Sequence, residues 1–512
     1  MKRRARVLSA LLSAGLSLWV GVRAGTAEAS PLFELVGGVQ GNGGFNSRTL
    51  EGGASSTYFN PALLTDAEPG LDVGVFVFTD QIGIHPFARP AGTAADVPVN
   101  FPDSQMEGGG AFPSYALPTS WLQNGKPADA FGNPELPARP RQAAGSGKQV
   151  RAYQVLGYVA KFFDNHLAAG IYTMIPYGQY TGAQSFFVDE REQYFTNSLH
   201  SELYSDRLIA TSLAFGLGIK VMPELSLGLA ATLALKSTAS TPTYLNDVNH
   251  FQNILIDPNI GVDTSLSPHF GAVYKPFSRL QLTATAHTPQ KFEINTDFKF
   301  LISSGFYQGA QISFIHDYLP WQISLGGSFD VVKTPTDGVT VAVTALYAKW
   351  SDYIDRHGDN PSGKYAWSDT LAPTVGVRYR HQAMRVIFDG TYQKSPVPDQ
   401  TGRSNYVDSD RLGATAGFDY AFPLWGGKLR AGLQTQAHRV MPREVHKLET
   451  PPSPSGAPGD PTLVIDEVPD NAVYNGAPLA GRDGLQTNNP GWPGYSSSGW
   501  LFGGGVYLSF NY

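Results

Sequence analysis

The run Leu225-Ser226-Leu227-Gly228-Leu229-Ala230-Ala231-Thr232-Leu233-Ala234-Leu235 decides the fold. Every odd-numbered position is apolar, and the positions between are small. A period of two belongs to a β-strand, whose successive side chains point to opposite faces. The run is also long. A tilted strand needs roughly 9–11 residues to cross a bilayer, whereas soluble strands usually stop near five or six.

The same pattern recurs along the chain. Val339, Val341, Val343, Ala345 and Tyr347 share a face. Leu371, Pro373, Val375, Val377 and Tyr379 alternate with Thr374, Gly376, Arg378 and Arg380. Met384, Val386, Phe388 and Tyr392 oppose Arg385, Asp389 and Thr391, and Leu412, Ala414, Ala416, Phe418 and Tyr420 oppose Arg411, Thr415 and Asp419. Charges thus collect on one face. A Lys or Arg on the lipid face at midplane costs about 2–4 kcal/mol, falling to near zero at the interface. Lys349 and Lys394 extend two apolar faces, but only at strand ends.

Fourteen such strands are predicted, near 71–79, 151–163, 167–176, 207–221, 224–236, 264–276, 279–300, 310–333, 338–350, 369–381, 383–394, 409–422, 427–440 and 499–512. Links after even-numbered strands are very short, as at Met222-Pro223, Phe277-Ser278 and Gln382; most others are long. Short periplasmic turns and long external loops mark outer-membrane barrels. The expected fold is all-β: a 14-stranded antiparallel transmembrane β-barrel over 70–512, with long external loops at 80–150, 177–206, 237–263 and 441–498. The last strand ends on Val506, Leu508, Phe510 and Tyr512, all on one face. A terminal aromatic in that pattern resembles the signal read by barrel-assembly machinery.

The rest of the chain agrees. Of 512 residues only 16% are charged, and Gly (56), Tyr (24) and Phe (29) are abundant. The net charge of -6 gives no basic surface for nucleic acid. There is no cysteine, hence no disulfide and no thiolate metal site. Lys2, Arg3, Arg4 and Arg6, the apolar stretch 7–22 and Ala27-Glu28-Ala29 read as a secretory signal peptide over 1–29. Residues 30–69 lack strand alternation and carry Gly37-Gly38 and Gly41-Asn42-Gly43-Gly44. A 14-stranded lumen is too wide for wall side chains to fill, so this segment is expected to be a hatch, a plug folded inside the barrel.

Several short motifs, in order along nearly the whole mature chain, resemble the FadL-type outer-membrane channels for long-chain fatty acids and other hydrophobic compounds. They are Asn60-Pro61-Ala62, Ile175-Pro176-Tyr177-Gly178, Leu319-Pro320-Trp321, Lys349-Trp350-Ser351-Asp352, and Ser395-Pro396-Val397-Pro398 followed by Asp408-Ser409-Asp410-Arg411. The resemblance implies location in the bacterial outer membrane and passive uptake of a hydrophobic solute. It also implies lateral release into lipid where strand three kinks at Pro176, Tyr177 and Gly178, with Asn60, Pro61 and Ala62 of the hatch contacting that kink. Lys236, Arg356 and His357 are the candidate ligand cations that it implies for a carboxylate headgroup; a channel for neutral aromatic or alkane hydrocarbons is the alternative. Outer-membrane lipid and lipopolysaccharide are the expected surroundings. No cofactor or metal is expected, and no enzyme: the eleven His are scattered, and Gly145-Ser146-Gly147-Lys148 lacks the glycine at Gln142 that a phosphate loop needs. A general porin or a barrel-borne hydrolase are the weaker readings.

Overall fold

A computed structural model describes residues 31–87, 144–145, 149–177, 200–201, 203, 208, 211–240, 243–245, 254–256, 259–302, 307–354, 360–401, 406–447, 473–474, 477–478 and 494–512. The signal peptide, Gly178, Arg356 and His357 lie outside them, as do the side chain of Lys236 and most of the long loops.

Fourteen strands form the wall. They are β1 (Gly70–Pro86), β2 (Gln149–Phe162), β3 (Leu167–Pro176), β4 (Thr211–Met222), β5 (Leu225–Ser240), β6 (Asn259–Phe277) and β7 (Leu280–His287). Then follow β8 (Gln322–Lys333), β9 (Asp337–Ala348), β10 (Thr370–His381), β11 (Met384–Gln393), β12 (Arg411–Leu424), β13 (Gly427–His446) and β14 (Gly494–Asn511). Each pairs antiparallel with its neighbours in chain order, and β1 pairs with both β2 and β14, which closes the barrel. Closure leaves no sheet edge in lipid, where an unpaired backbone group has no partner.

The alternation sorts as expected. On β10, Leu371, Val375 and Val377 are exposed outward while Thr370, Thr374 and Arg378 are buried inward. On β5, Leu229 is 53% exposed and Thr232 0%. Exposed Tyr158, Phe163, Tyr274, Phe277, Tyr420, Phe422, Trp425 and Tyr512 gather near the short turns, forming the aromatic girdle of a membrane barrel. The turns are tight: Trp425 and Gly426 both have positive φ, which suits a two-residue hairpin loop.

Three expectations need correction. Strands run further outward than the apolar pattern suggested, so the loops 80–150, 237–263 and 441–498 are shorter: β1 reaches Pro86, β5 reaches Ser240, and β13 reaches His446. Beyond the bilayer the outward face turns polar, as at Gln81 and His85, and the apolar signal fades while pairing continues. The strands predicted over 279–300 and 310–333 each divide, at Thr288-Pro289 and at Pro320. Proline offers no N–H to a ladder. The outer arms, Gln290–Ile302 and Tyr307–Leu319, pair with each other in a separate sheet.

Residues 31–69 fill the lumen. Leu32, Phe33, Val36, Tyr58, Phe59 and Leu64 are buried against Phe76, Tyr153, Val155, Tyr172 and Met174, the inward apolar side chains of β1–β3. Burying each large side chain contributes about 1.5–3 kcal/mol. The hatch therefore packs through an apolar face on this side of the barrel.

Candidate functional site

The motif Asn60-Pro61-Ala62 begins a short 3-10 turn, Pro61–Thr65. Pro at the first position suits a helical start. Asn60 caps it: its Oδ1 accepts from Ala62 N at 3.2 Å, and its Nδ2 donates to Arg48 O at 2.9 Å. The turn seats on three glycines aligned across neighbouring strands, Gly218 of β4, Gly228 of β5 and Gly271 of β6. A Cβ on Gly228 would lie 2.2 Å from Ala62 N, and one on Gly271 would lie 2.1 Å from Asn60 Oδ1. Only glycine lets hatch and wall backbones approach so closely. This corrects one expectation: the motif seats on β4–β6 rather than on the end of β3. What packs against β3 is Leu64 and Thr57, at Gly170. Pro176 lies six residues further along the strand, about 20 Å away.

The opposite side of the hatch is held by polar contacts. Arg378 of β10 and Asp389 of β11 form an ion pair at 2.6 Å, 6% and 0% exposed. Asp389 also accepts from Phe45 N at 2.9 Å and Asn46 Nδ2 at 2.7 Å. Arg378 donates to Asn42 O at 2.6 Å and Gly43 O at 2.7 Å. One buried pair thus holds the loop 42–46, and almost every donor and acceptor has a partner, as burial requires. Nearby, Thr49 Oγ1 meets Thr344 Oγ1 at 2.6 Å. Within the hatch, Glu34 accepts from Arg48 at 2.7 Å and from the Tyr58 hydroxyl at 2.5 Å. Burial, reinforced by the Glu34 charge, pushes the Tyr58 phenol well above its ordinary range.

Between the hatch and the walls of β8–β13 lie two adjoining cavities, with about 690 and 560 Å³ of empty space, part of it open to solvent. Both are lined by Glu34 and Leu35 of the hatch and by Leu346, Ala372, Gln393 and Arg411 of the wall. The first continues to Leu203, Tyr318, Leu319 and Trp350; the second to Phe45, Phe59, Arg48 and His438. In the second cavity two guanidinium groups, Arg48 and Arg411, face one carboxylate, Glu34, among apolar and hydroxyl side chains. Arg411 donates to Gln393 Oε1. The lining combines apolar side chains with fixed polar groups.

An aromatic cluster adjoins the first cavity. Tyr353 and Trp367 stack at 3.5 Å with planes 6° apart. Trp350 lies 5.6 Å from Trp367, and Tyr406 meets it edge-on at 5.5 Å. The Trp350-Ser351 motif seen in the sequence begins a 3-10 turn, Trp350–Asp352, that carries Trp350 inward.

Strand three ends at Pro176, whose ring is buried, while Tyr177 is exposed. Its ladder to β4 holds eight pairs, from Leu167–Ile219 to Met174–Ser212, half the sixteen between β5 and β6. Among the described residues, β3 beyond Met174 pairs only with β2: Ile175 with Gln154, Pro176 with Tyr153. The strict alternation also lapses here, with Tyr172, Thr173 and Met174 all buried. Leu208 is buried inside the wall, and its O accepts from the Tyr153 hydroxyl at 3.0 Å.

Of the candidates read from the sequence, Asn60, Pro61, Ala62, Pro176 and Tyr177 are described, in two separate places. Arg411 was not singled out as a ligand cation. Its parity opposite Leu412 put it on the inner face, which was the available signal. Arg378 and Asp389 were equally legible as inward charges, but not their link to the hatch. Among the described residues, no group of three His, Asp or Glu is placed to hold a metal.

A closed 14-stranded antiparallel membrane barrel with its N-terminal segment folded inside defines the class by fold. The chain matches no protein-family model. It matches no curated protein. Among solved structures it is similar to a Pseudomonas aeruginosa FadL homologue, with TM-score 0.52 and 15% identity over 95% of this chain and 98% of that one. It is also similar to the Pseudomonas putida toluene transporter TodX (TM-score 0.45, 11% identity, 95% and 99% covered) and the Ralstonia pickettii toluene transporter TbuX (TM-score 0.42, 10%, 95% and 99%). The likeness to the first of these, at 15% identity, shows the fold alone.

Proposed function

We propose that this protein is a bacterial outer-membrane channel for passive uptake of hydrophobic solutes. The observation that carries the proposal is the partly apolar cavity between hatch and wall, with Arg411 at the junction of its two lobes. A filled lumen floor is unsuited to bulk aqueous flow, and the apolar lobe under the aromatic cluster, lined by Leu35, Leu203, Leu319, Leu346 and Trp350, suits an apolar solute. Arg411 favours a solute with a carboxylate, since guanidinium–carboxylate bonds are charge-assisted and geometrically specific. Long-chain fatty acids have that chemistry. Lys236, Arg356 and His357 remain proposed contacts for the same headgroup on its way in. The stacked Tyr353–Trp367 pair supports the second reading, neutral aromatic hydrocarbons, which need no cation.

The release route we propose is lateral, at the outer end of the β3–β4 seam. Its short ladder and Pro176 support this, and so does the physics: passing an apolar solute through water costs about 25 cal/mol per Å² of surface.

The test is binding of oleate and of toluene to detergent-solubilised protein, comparing Arg411→Gln and the pair Lys236→Ala/Arg356→Ala with the parent. Loss of oleate affinity of about tenfold in Arg411→Gln, with toluene unchanged, is the expected outcome; one lost charge-assisted bond is worth roughly that. Binding of toluene alone moves the assignment to hydrocarbons. Binding of neither overturns the channel reading.

A further inference from the structure

A separate pocket opens outward, on the lipid side of the wall at the long-loop end of β11–β13. It has about 880 Å³ of empty space, part of it open, and is lined by Tyr392, Lys394, Asp410, Leu412, Met441 and Arg443, among others. It arises from a β-bulge. The β13–β14 register shifts between Val440 and Arg443, so that Met441 and Pro442 both face outward. Bulges at barrel rims re-aim side chains and recur beside functional sites.

The row beneath this pocket is unusual for a lipid face. Tyr392, Leu412, Arg439 and Trp500 pair directly across β11, β12, β13 and β14. Tyr392, Leu412 and Trp500 are exposed, and Arg439 occupies an outward position between them. Its guanidinium lies 5.2 Å from the Trp500 ring centroid, and it donates to Gly499 O at 3.1 Å. One row further out, Lys394 is exposed. Arg443 lines the pocket, donating to Val397 O at 2.9 Å and pairing with Asp399 at 3.1 Å. The local carboxylate, Asp410, is occupied by Tyr392 OH at 2.5 Å and Ser395 N at 2.9 Å. Two cations, Lys394 and Arg443, thus line an apolar recess continuous with the lipid-facing wall, and a third, Arg439, lies in the row beneath it, opposite Leu412.

We infer that this pocket binds the phosphorylated headgroup of an outer-leaflet glycolipid, with Lys394 and Arg439 contacting phosphate and an acyl chain lying along Leu412 and Trp500. The inference rests on the outer-membrane reading above. It is independent of the solute and of the internal cavity. Neither an arginine at a lipid-facing position nor a bulge that opens a recess beside it serves the ladder itself. Both serve an anionic amphiphile held at the interface, where a cation costs little.

The experiment titrates the full-length barrel in dodecylmaltoside with diphosphoryl lipid A and with the same lipid after phosphatase treatment. Parent, Lys394→Gln/Arg439→Gln and Lys394→Arg/Arg439→Lys are compared, each checked for toluene and oleate binding. Expected is a loss of at least about tenfold on dephosphorylation and in the Gln pair, with affinity kept in the charge-preserving pair. Equal affinity for both lipids, or for the parent and a folded Gln pair, overturns the proposal. Solute binding in the same samples separates the two readings: lipid A binding without solute binding sinks the channel and keeps this site, and the reverse does the opposite.

Discussion

Asp389→Ala is expected to unseat the hatch without opening the wall. In the parent, the Asp389 carboxylate receives Arg378 at 2.6 and 2.9 Å, Asn46 Nδ2 at 2.7 Å and Phe45 N at 2.9 Å, at zero exposure. Truncation leaves a buried guanidinium without its carboxylate. Breaking a buried pair in this way costs about 3–5 kcal/mol. The barrel ladder bears none of this directly, because β10 and β11 remain paired from Thr374–Thr391 to His381–Met384. The cost falls on the hatch-seated state, raising its open population by roughly two to three and a half powers of ten.

The assay uses the absence of cysteine from the chain. Thr57→Cys places a single thiol at a fully buried hatch position on the far side of the lumen, beside Gly170. Its labelling by a membrane-impermeant maleimide follows the opening equilibrium when closing is fast. Asp389→Ala is expected to speed labelling by at least about a hundredfold and to raise ion leak across planar bilayers. Replacing both partners, Arg378→Met with Asp389→Leu, removes the stranded charge and is expected to recover most of the protection, since apolar replacement of a buried pair is often neutral. Labelling within about twofold of the parent in a folded Asp389→Ala barrel would refute the reasoning, because the latch would then carry none of its assigned energy.

Two further predictions concern the outer half. Met174 and Ser212 are paired inward positions at the last rung of the β3–β4 ladder. A disulfide between Met174→Cys and Ser212→Cys is expected to leave solute binding in detergent intact and to abolish transfer into lipid vesicles until reductant is added; unchanged transfer in the oxidised form rules out exit at this seam. Asp408, in the loop before β12, has its carboxyl pushed up to about 6 by burial, although Ser395 Oγ donates to it at 2.6 Å. A folded-state value above the unfolded 3.8 means the native protein holds the extra proton, so stability falls as pH rises from about 4 to about 6 and is flat beyond. Asp408→Asn should erase that step and stabilise the rim at neutral pH by up to about 3 kcal/mol. A thermal transition with the same pH slope in parent and variant contradicts this.

The wall was legible because lipid and lumen impose opposite chemistry on alternate residues. Val375 and Thr374 are sorted by parity alone, whatever their neighbours. Legibility ended where the bilayer did: His85 lies in a strand, yet its outward face meets water and carries no apolar mark. The hatch was legible only as a segment that is not wall. Its seating was not, because Gly218, Gly228 and Gly271 fall on three strands and come into line only once the register is set. Likewise Arg378 and Asp389 read as two inward charges. That Asp389 sits opposite Gly376, two residues from Arg378, depends on the β10–β11 hairpin register. Arg411 is a failure of a different kind. Its inward parity was in view, and the cavity it lines requires both hatch and wall to be in place.

The two faces of the hatch bear on how a solute leaves. Toward β1–β3 the hatch is held mainly by Phe33, Tyr58 and Leu64 against Tyr153 and Tyr172, with single hydrogen bonds from Ala54 N to Asp72 at 3.0 Å and from Lys161 to Thr65 O at 3.1 Å. Toward β10 and β11 it is held by a buried ion pair and its hydrogen bonds, which resist being pulled apart. Small displacements therefore favour the mainly apolar side, where single hydrogen bonds rather than a buried ion pair reach the hatch, and that side carries β3 and its short ladder to β4. The cavity and Arg411 lie on the rigid side, where a headgroup site profits from fixed geometry. On the proposed route, a solute held by the rigid half would be released past the yielding half, and the hatch need never leave the barrel.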